Sequence, residues 1–184
     1  MIPELLINKT GWRRMTSSRW IGGLVLVAAL AACSEASHKI AALEPKDDTA
    51  CSLDGMILKD YAGPKAQIHY TEGQPDFFCD LMELFGVVLV PEHKRPVAAI
   101  YVQDMGKTDW DHPQGNWIDA KKAVYVVGSK KRGSMGPTFG SFSNEQDATA
   151  FAQKEGGKVL RFEQITADMV NTGSSAAHDD GMSH

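Results

Sequence analysis

The sequence predicts an α+β fold in which two tandem β-β-α-β units follow an N-terminal tether. Each half of the chain contains short apolar or alternating runs, typical of strands, on either side of one helical pattern. The two halves also repeat the same order of elements, in residues 51–104 and residues 121–170. Such a unit leaves one face of its sheet open, so we expect the helices to cover these faces.

The first unit, residues 51–104, begins with a strand in AQIHY, a Gly/Pro turn in TEGQP and a second short strand in DFFC. A helix is predicted in DLMELFGVVLVPE, with Asp80 as its N-cap and Pro91 beyond its end. The apolar run VAAIYVQD is predicted to be the last strand of the unit.

The second unit, residues 121–170, repeats this order with a strand in AVYVVGS, a long turn in SKKRGSMGP and a short strand in TFGSF. A helix is predicted in SNEQDATAFAQKEG, capped by Ser143 or Asn144 and stopped by Gly156 and Gly157. The final strand is predicted in KVLRFEQI.

Two further segments join or end these units. The connector, residues 105–120, contains Trp110 and Trp117, which we expect to pin it into the groove between the units. A docking surface for a partner is the alternative, because exposed tryptophan is enriched at interfaces. Residues 171–184 are mostly Ser, Gly, Ala, Asp and His, so this tail is predicted to be disordered.

The N-terminus has the pattern of an exported lipoprotein. Basic residues precede the apolar run WIGGLVLVAALAAC, which is too short for a comfortable membrane span, so residues 1–32 are predicted to be a signal peptide. The sequence LAAC resembles a lipobox, in which cleavage precedes a lipidated cysteine, here Cys33. Ordinary secretion with cleavage after an Ala-x-Ala-like site is the alternative. Residues 33–50 are small, polar and charged, and they are predicted to form a flexible tether.

Charge and cysteine usage restrict the class of function. Without residues 1–32, the chain keeps 15 of its 19 basic and 22 of its 23 acidic residues, a net charge of −7. This balance argues against a nucleic-acid partner. A lipid anchor predicts a periplasmic protein held on a membrane, with the outer membrane favoured, and this compartment is oxidising. Only Cys51 and Cys79 then retain thiols.

The segment CSLDGM contains candidate metal ligands. The Cys51 thiolate and Met56 thioether are soft donors that select Cu(I) over harder ions, and a turn at Asp54 would bring both sulfurs to one point. His69 could add an imidazole if its strand passes this turn, although an ordinary surface-strand histidine is favoured. From residue types alone, the favoured alternative is a structural lipoprotein with a Cys51–Cys79 disulfide and no metal role.

Cys79 stands at the predicted junction of strand and helix, where a helix N-terminus lowers the pKa of a thiol. No residue near it in the sequence resembles a general base, so a thiol-dependent enzyme is not favoured. Behind Phe77 and Phe78, it is predicted to be an inert core cysteine or to be bonded to Cys51.

Several long stretches together resemble the NosL family. They are the lipobox, the C-x-x-x-G-M context of Cys51, and GPKAQIHY, FFCDL, AIYVQDMGKTDWDHPQGNWIDAKKAVYVVGS and GSMGPTFGSFS. NosL proteins are copper-binding lipoproteins that accompany nitrous oxide reductase. The resemblance implies a periplasmic Cu(I) chaperone, and no enzyme, that supplies the copper–sulfur centre of the reductase apoprotein. It also implies action beside an ABC-type transporter encoded with the reductase.

The resemblance further implies which residues bind copper. Cys51 and Met56 match the family's copper motif position by position, whereas many members have a second cysteine where Asp54 stands here. The third ligand is therefore open between Asp54, His69, water and an exogenous thiol. The resemblance assigns Cys79 no metal role. It implies treble-clef-like units, distantly similar in fold to organomercurial lyase, without implying that enzyme's catalysis.

Overall fold

The computed structural model describes residues 40–90 and 95–171, which contain two main antiparallel sheets of equivalent topology. In each sheet the first strand of the unit lies between the second and the last strand of that unit. The predicted α+β class and the β-β-α-β order of both halves are confirmed. Cys33, the predicted signal peptide and nearly all of the predicted tail lie outside the described residues. Within the described ranges, no helix has the length and apolar character needed to cross a membrane.

The first sheet has the strand order β2-β1-β3-β4. Its elements are β1 (Ala66–Tyr70), β2 (Asp76–Phe78), helix α1 (Leu81–Val88), β3 (Val97–Gln103) and β4 (Trp117–Asp119). The predicted N-cap is confirmed, because the Asp80 side chain accepts a hydrogen bond from the Met82 amide. Strand β4 lies inside the predicted connector and pairs with the outer edge of β3.

The second sheet has the strand order β8-β5-β9, and a separate two-stranded hairpin lies in the predicted long turn. Ser143 and Asn144 were the two candidate N-caps of the helix in this unit. The structure shows that Asn144 is the cap, because its side chain accepts a hydrogen bond from the Asp147 amide, and Gly156 ends the helix with a φ of 79°. The elements are β5 (Val124–Val127), hairpin strands β6 (Arg132–Gly133) and β7 (Gly136–Pro137), β8 (Gly140–Phe142), helix α2 (Glu145–Glu155) and β9 (Lys158–Arg161). Short 3₁₀ turns at Leu58–Asp60 and Phe162–Gln164 and a helical turn at 167–171 complete the described elements.

Helix α1 packs against both halves of the chain. Its Phe85 ring contacts Tyr125 of β5 edge to face, with 5.2 Å between centroids, and also packs against Phe139 and Phe162. The largest apolar cluster therefore contains residues of both units, whereas a smaller cluster lies beneath α2. The expected covering of sheet faces by the helices is confirmed, and one of these helices also joins the two units.

The two connector tryptophans have different roles. Trp110 stacks on Phe151 of α2 at 5.3 Å between centroids, and its indole N–H donates to the Arg132 carbonyl of the hairpin. Its own carbonyl accepts from the Gly63 amide of the first unit, so it pins the connector between the units as predicted. Trp117 instead lies in β4, where its indole donates to a carboxylate of the N-terminal segment.

Residues 40–50 differ from the predicted flexible tether, because this segment is hydrogen-bonded to the first sheet. The Gln67 side chain accepts from the Leu43 amide at 2.8 Å and donates to the Leu43 carbonyl at 2.9 Å. The Tyr101 hydroxyl donates to the Ile40 carbonyl. Polar side chains on β1 and β3 thus form hydrogen bonds with backbone groups of residues 40–50. The composition of this segment alone does not predict such order.

We expect Gln67→Leu to release this segment. The substitution removes both hydrogen bonds to Leu43, so the free energy of unfolding should fall by about 1–2 kcal/mol. In hydrogen–deuterium exchange, the Leu43 amide should exchange faster. Gln74→Leu, at an exposed position of the β1–β2 turn, is the matched control. Unchanged protection of Leu43 in the Gln67 variant would contradict the docking of this segment.

Candidate metal centre

Cys51 and Met56 face each other across a tight loop. An antiparallel bridge closes the loop, and the Cys51 amide donates to the Met56 carbonyl at 2.7 Å. The Gly55 amide donates to the Cys51 carbonyl, and Gly55 has a φ of 78°, which glycine adopts without strain. The Asp54 carboxylate accepts from the Met56 amide at 2.9 Å, which fixes the turn. The predicted Asp-Gly turn therefore brings the backbones of the two residues with candidate sulfur ligands together.

Two residues from the start of α1 complete a cluster around this loop. Cys79 immediately follows β2, and Glu83 lies one helical turn further along, in the first turn of α1. One carboxylate oxygen of Glu83, Oε2, accepts hydrogen bonds from Cys51 Sγ at 3.2 Å and from Cys79 Sγ at 3.4 Å. Ligand atoms of Cys51, Asp54, Cys79 and Glu83 all lie within 4.8 Å of one another. Loop and helix thus present two thiols and two carboxylates to one point.

The two thiols lie in apolar surroundings. Cys51 is 4% exposed and Cys79 is 0% exposed, and both form one apolar cluster with Leu58, against which Met56 and Phe77 pack. Burial raises the pKa of both thiols, because a thiolate would lose its hydration there. Burial also raises the pKa of the Glu83 carboxyl. Without a cation, both cysteines are therefore protonated at neutral pH.

Cys51 and Cys79 are free thiols in the structure, so the alternative prediction of a disulfide between them is wrong for this conformation. A disulfide requires about 2.05 Å between its sulfurs. Here each thiol donates to the same Glu83 oxygen instead, and Cys79 also lies 3.2 Å from the Ser134 hydroxyl of the β6–β7 hairpin. The burial predicted for Cys79 is confirmed.

The structure does not bring His69 into this cluster. Its Nε2 lies 2.6 Å from Oε1 of Gln67, and its ring packs edge to face on Tyr101. Alternation along β1 correctly places His69 and Gln67 on one face of the strand. That face is covered by the N-terminal segment, so His69 is only 6% exposed and is not the surface histidine that the sequence favours. Burial also lowers its pKa.

Lys65 is a buried charge at the base of the cluster that the sequence did not reveal. Its ammonium group shares its three N–H groups among four carbonyls at 2.8–3.1 Å, those of Tyr61, Ala62, Gly63 and Cys79. Burial lowers the pKa of Lys65 to about 8. Because one of the four carbonyls belongs to Cys79, this lysine fixes the backbone from which the second thiol projects.

The β6–β7 hairpin holds the N-cap of α1 from the other side. The Thr138 hydroxyl donates to one oxygen of Asp80 at 2.6 Å, and burial raises the pKa of this carboxyl to about 6. A Cβ at Gly133 would lie 2.2 Å from the other Asp80 oxygen, so only glycine fits there. The hairpin therefore packs tightly against the residue that positions Cys79 and Glu83.

Comparison with known proteins agrees with the resemblance. A family model described as NosL matches residues 42–170. A copper-binding lipoprotein NosL from Stutzerimonas stutzeri is 40% identical over 159 residues, which cover 84% of this chain and 83% of that protein. The protein of the same name from Achromobacter cycloclastes is 42% identical over 171 residues, covering 85% and 88%. The crystal structure of the copper chaperone NosL from Shewanella denitrificans matches with a TM-score of 0.66 at 38% identity, over 71% of this chain and 98% of that one.

Proposed function

Because the chain belongs to the NosL family, we propose that it binds one Cu(I) ion at the Cys51–Met56 loop and delivers it to nitrous oxide reductase. The recipient is the copper–sulfur centre of the reductase apoprotein. The observation that carries the proposal is the closed loop, which holds a thiol and a thioether beside each other in an apolar pocket. Copper is the cargo, and the protein catalyses no reaction.

The donor chemistry of the loop favours Cu(I). Thiolate and thioether are soft ligands, and methionine is a poor ligand for Zn²⁺ or for hard divalent ions. A Cu(I) ion bound to the Cys51 thiolate is a neutral pair, so it can occupy an apolar pocket without an uncompensated charge.

Access to the loop supports transfer to a partner. The residues between the two ligands, Ser52 to Gly55, are exposed, and Leu53 is 57% exposed. A ligand of the recipient can therefore approach copper from this side, forming a shared three-coordinate ion before one of the original sulfurs leaves. Such exchange needs neither unfolding of the loop nor a change in the oxidation state of copper.

The proposed location follows from the lipobox. A lipid on Cys33 would hold the protein on the periplasmic side of a membrane, with the outer membrane favoured, and the related proteins from Stutzerimonas and Achromobacter are named lipoproteins. An ABC-type transporter encoded with the reductase is the proposed membrane partner.

Copper transfer tests this function directly. The Cu(I)-loaded protein is mixed with apo-reductase, the two are separated by chromatography, and copper in each fraction is measured by mass spectrometry. We expect copper to move to the reductase and N₂O reduction to appear. In a parallel mixture, excess Cu(I) chelator traps any ion that is released into solution. Retention of copper by the loaded protein, or transfer that the chelator abolishes, would contradict direct delivery.

A further inference from the structure

We propose that Cys79 is a second thiolate ligand, so that this chain holds Cu(I) between Cys51 and Cys79 with the Met56 thioether as a third donor. This inference rests on the proposed copper function and deepens it. It adds to the loop a ligand from a different element, the junction between β2 and α1. The resulting site would have three sulfurs from one chain.

The geometry of the two thiols carries the inference. Both sulfurs donate to the same oxygen of Glu83, and the ligand atoms of the cluster lie within 4.8 Å of one another. Metal–thiolate bonds are about 2.3 Å long, so two thiolates on one ion lie up to about 4.6 Å apart. An ion between Cys51 and Cys79 therefore requires only a small side-chain adjustment. Met56 packs against the apolar cluster that contains both cysteines and Leu58.

The surroundings of such a site carry charges of both signs. The Glu83 carboxyl contacts both thiols and Asp54 lies in the same cluster, whereas Lys65 and the N-terminus of α1 are positive. Two thiolates and one Cu(I) carry a net charge of −1, which is costly in an apolar pocket unless a cation is close. The Lys65 ammonium donates to the Cys79 carbonyl at 3.1 Å and is 3% exposed, so it is a fixed positive charge at this site. The N-terminus of α1, directly after Cys79, contributes a further positive partial charge.

Ligand exchange at this site is balanced without a redox step. Each thiol loses its proton to water, and the sulfur lone pair then forms the bond to copper. The loss of two protons changes the charge of the site by −2 and the binding of one Cu(I) changes it by +1, so the net charge of the two thiolates and the ion is −1. Copper remains Cu(I) throughout, and Glu83, which accepts the two S–H hydrogens in the metal-free chain, becomes free to bond elsewhere.

Two measurements on the purified full chain test the role of Cys79. Competition with a chromophoric Cu(I) chelator gives the affinity, and X-ray absorption at the copper edge counts the sulfur ligands. We expect three sulfurs for the unaltered chain, and two for Cys79→Ser and Cys79→Ala with an affinity at least tenfold lower. Ser134→Ala, which removes the hydroxyl next to Cys79 but keeps its thiol, is the matched control. It should keep three sulfurs and the original affinity.

The outcomes separate this inference from the proposed function. Loss of binding in Cys51→Ser, with unchanged affinity and sulfur count in the Cys79 variants, would overturn the role of Cys79 and leave copper binding intact. Equal binding by the Cys51 and Cys79 variants and the unaltered chain would overturn both. Thermal unfolding of each metal-free variant checks its fold. If the Cys79 variants fail to fold, the sulfur count of the unaltered chain still tests the inference. A count of two sulfurs would rule out Cys79 as a third sulfur ligand.

Discussion

Cys51→Ser is expected to lower the affinity for Cu(I) by at least about a hundredfold, which corresponds to about 2.7 kcal/mol. Serine is similar in shape but replaces the anionic soft donor with a neutral hydroxyl, which has little affinity for a soft monovalent ion. The substitution leaves the backbone hydrogen bonds of the loop in place, since they join the Cys51 amide and carbonyl to Met56 and Gly55. The loss is therefore assigned to the sulfur rather than to the turn.

A pair of methionine variants provides the control for this measurement. Met56→Leu removes the thioether next to Cys51 and should weaken binding by about tenfold, or about 1.4 kcal/mol. Met105→Leu makes the same change in the cluster beneath α2, where we expect no effect on copper. The affinities are measured by competition with a chromophoric chelator. A Cys51→Ser protein that binds within threefold of the unaltered chain would contradict the assignment of the loop, as would equal effects of the two methionine variants.

Lys65→Met is expected to lower the free energy of unfolding by about 3–5 kcal/mol. Methionine fills a similar volume but cannot donate, so the buried carbonyls that now accept from the ammonium would lose their partner. Burial itself disfavours the charge of Lys65, as its lowered pKa indicates. That cost is offset in the native chain by the hydrogen bonds shared among the four carbonyls, whereas the variant removes these bonds and leaves polar atoms buried.

Chemical denaturation of the metal-free protein measures this effect. Lys59→Met is the matched control, because Lys59 pairs with Asp47 at the surface, where both side chains are more than half exposed. Exposed pairs of this kind contribute about 0–1 kcal/mol. A Lys65 variant as stable as the Lys59 variant would show that the carbonyls find other partners.

Much of the fold follows from local pattern. The alternation in AQIHY places Ala66 and Ile68 in the core and Gln67 on the opposite face, and the caps of both helices are short polar residues followed by amphipathic sequence. Strand β4 and the β6–β7 hairpin were not predicted, because strands of two or three residues depend on their partner more than on their own sequence. The docking of residues 40–50 likewise depends on side chains distant in sequence.

In the candidate site, too, some features follow from local sequence and others depend on the tertiary fold. Cys51 and Met56 lie in one local turn whose ends are hydrogen-bonded, so a local sequence pattern was enough to predict that their backbones are close. Cys79 and Glu83 are four residues apart, but Cys79 precedes the N-cap of α1, so the helical spacing rule did not by itself predict their shared contact. Their approach to Cys51 depends on the tertiary fold, and so does the burial of Lys65. Tertiary packing also explains why His69 has the predicted orientation but a different environment.

The β6–β7 hairpin breaks the internal repeat of the molecule. The two halves share one strand order, yet among the described residues this insertion occurs in the second half alone, and it reaches back to Asp80 and Cys79 through Thr138 and Ser134. The second half of the chain therefore braces the candidate ligands of the first. Packing changes in one half can reach the thiols of the other through these two contacts, so the two halves are coupled although their sheets are separate.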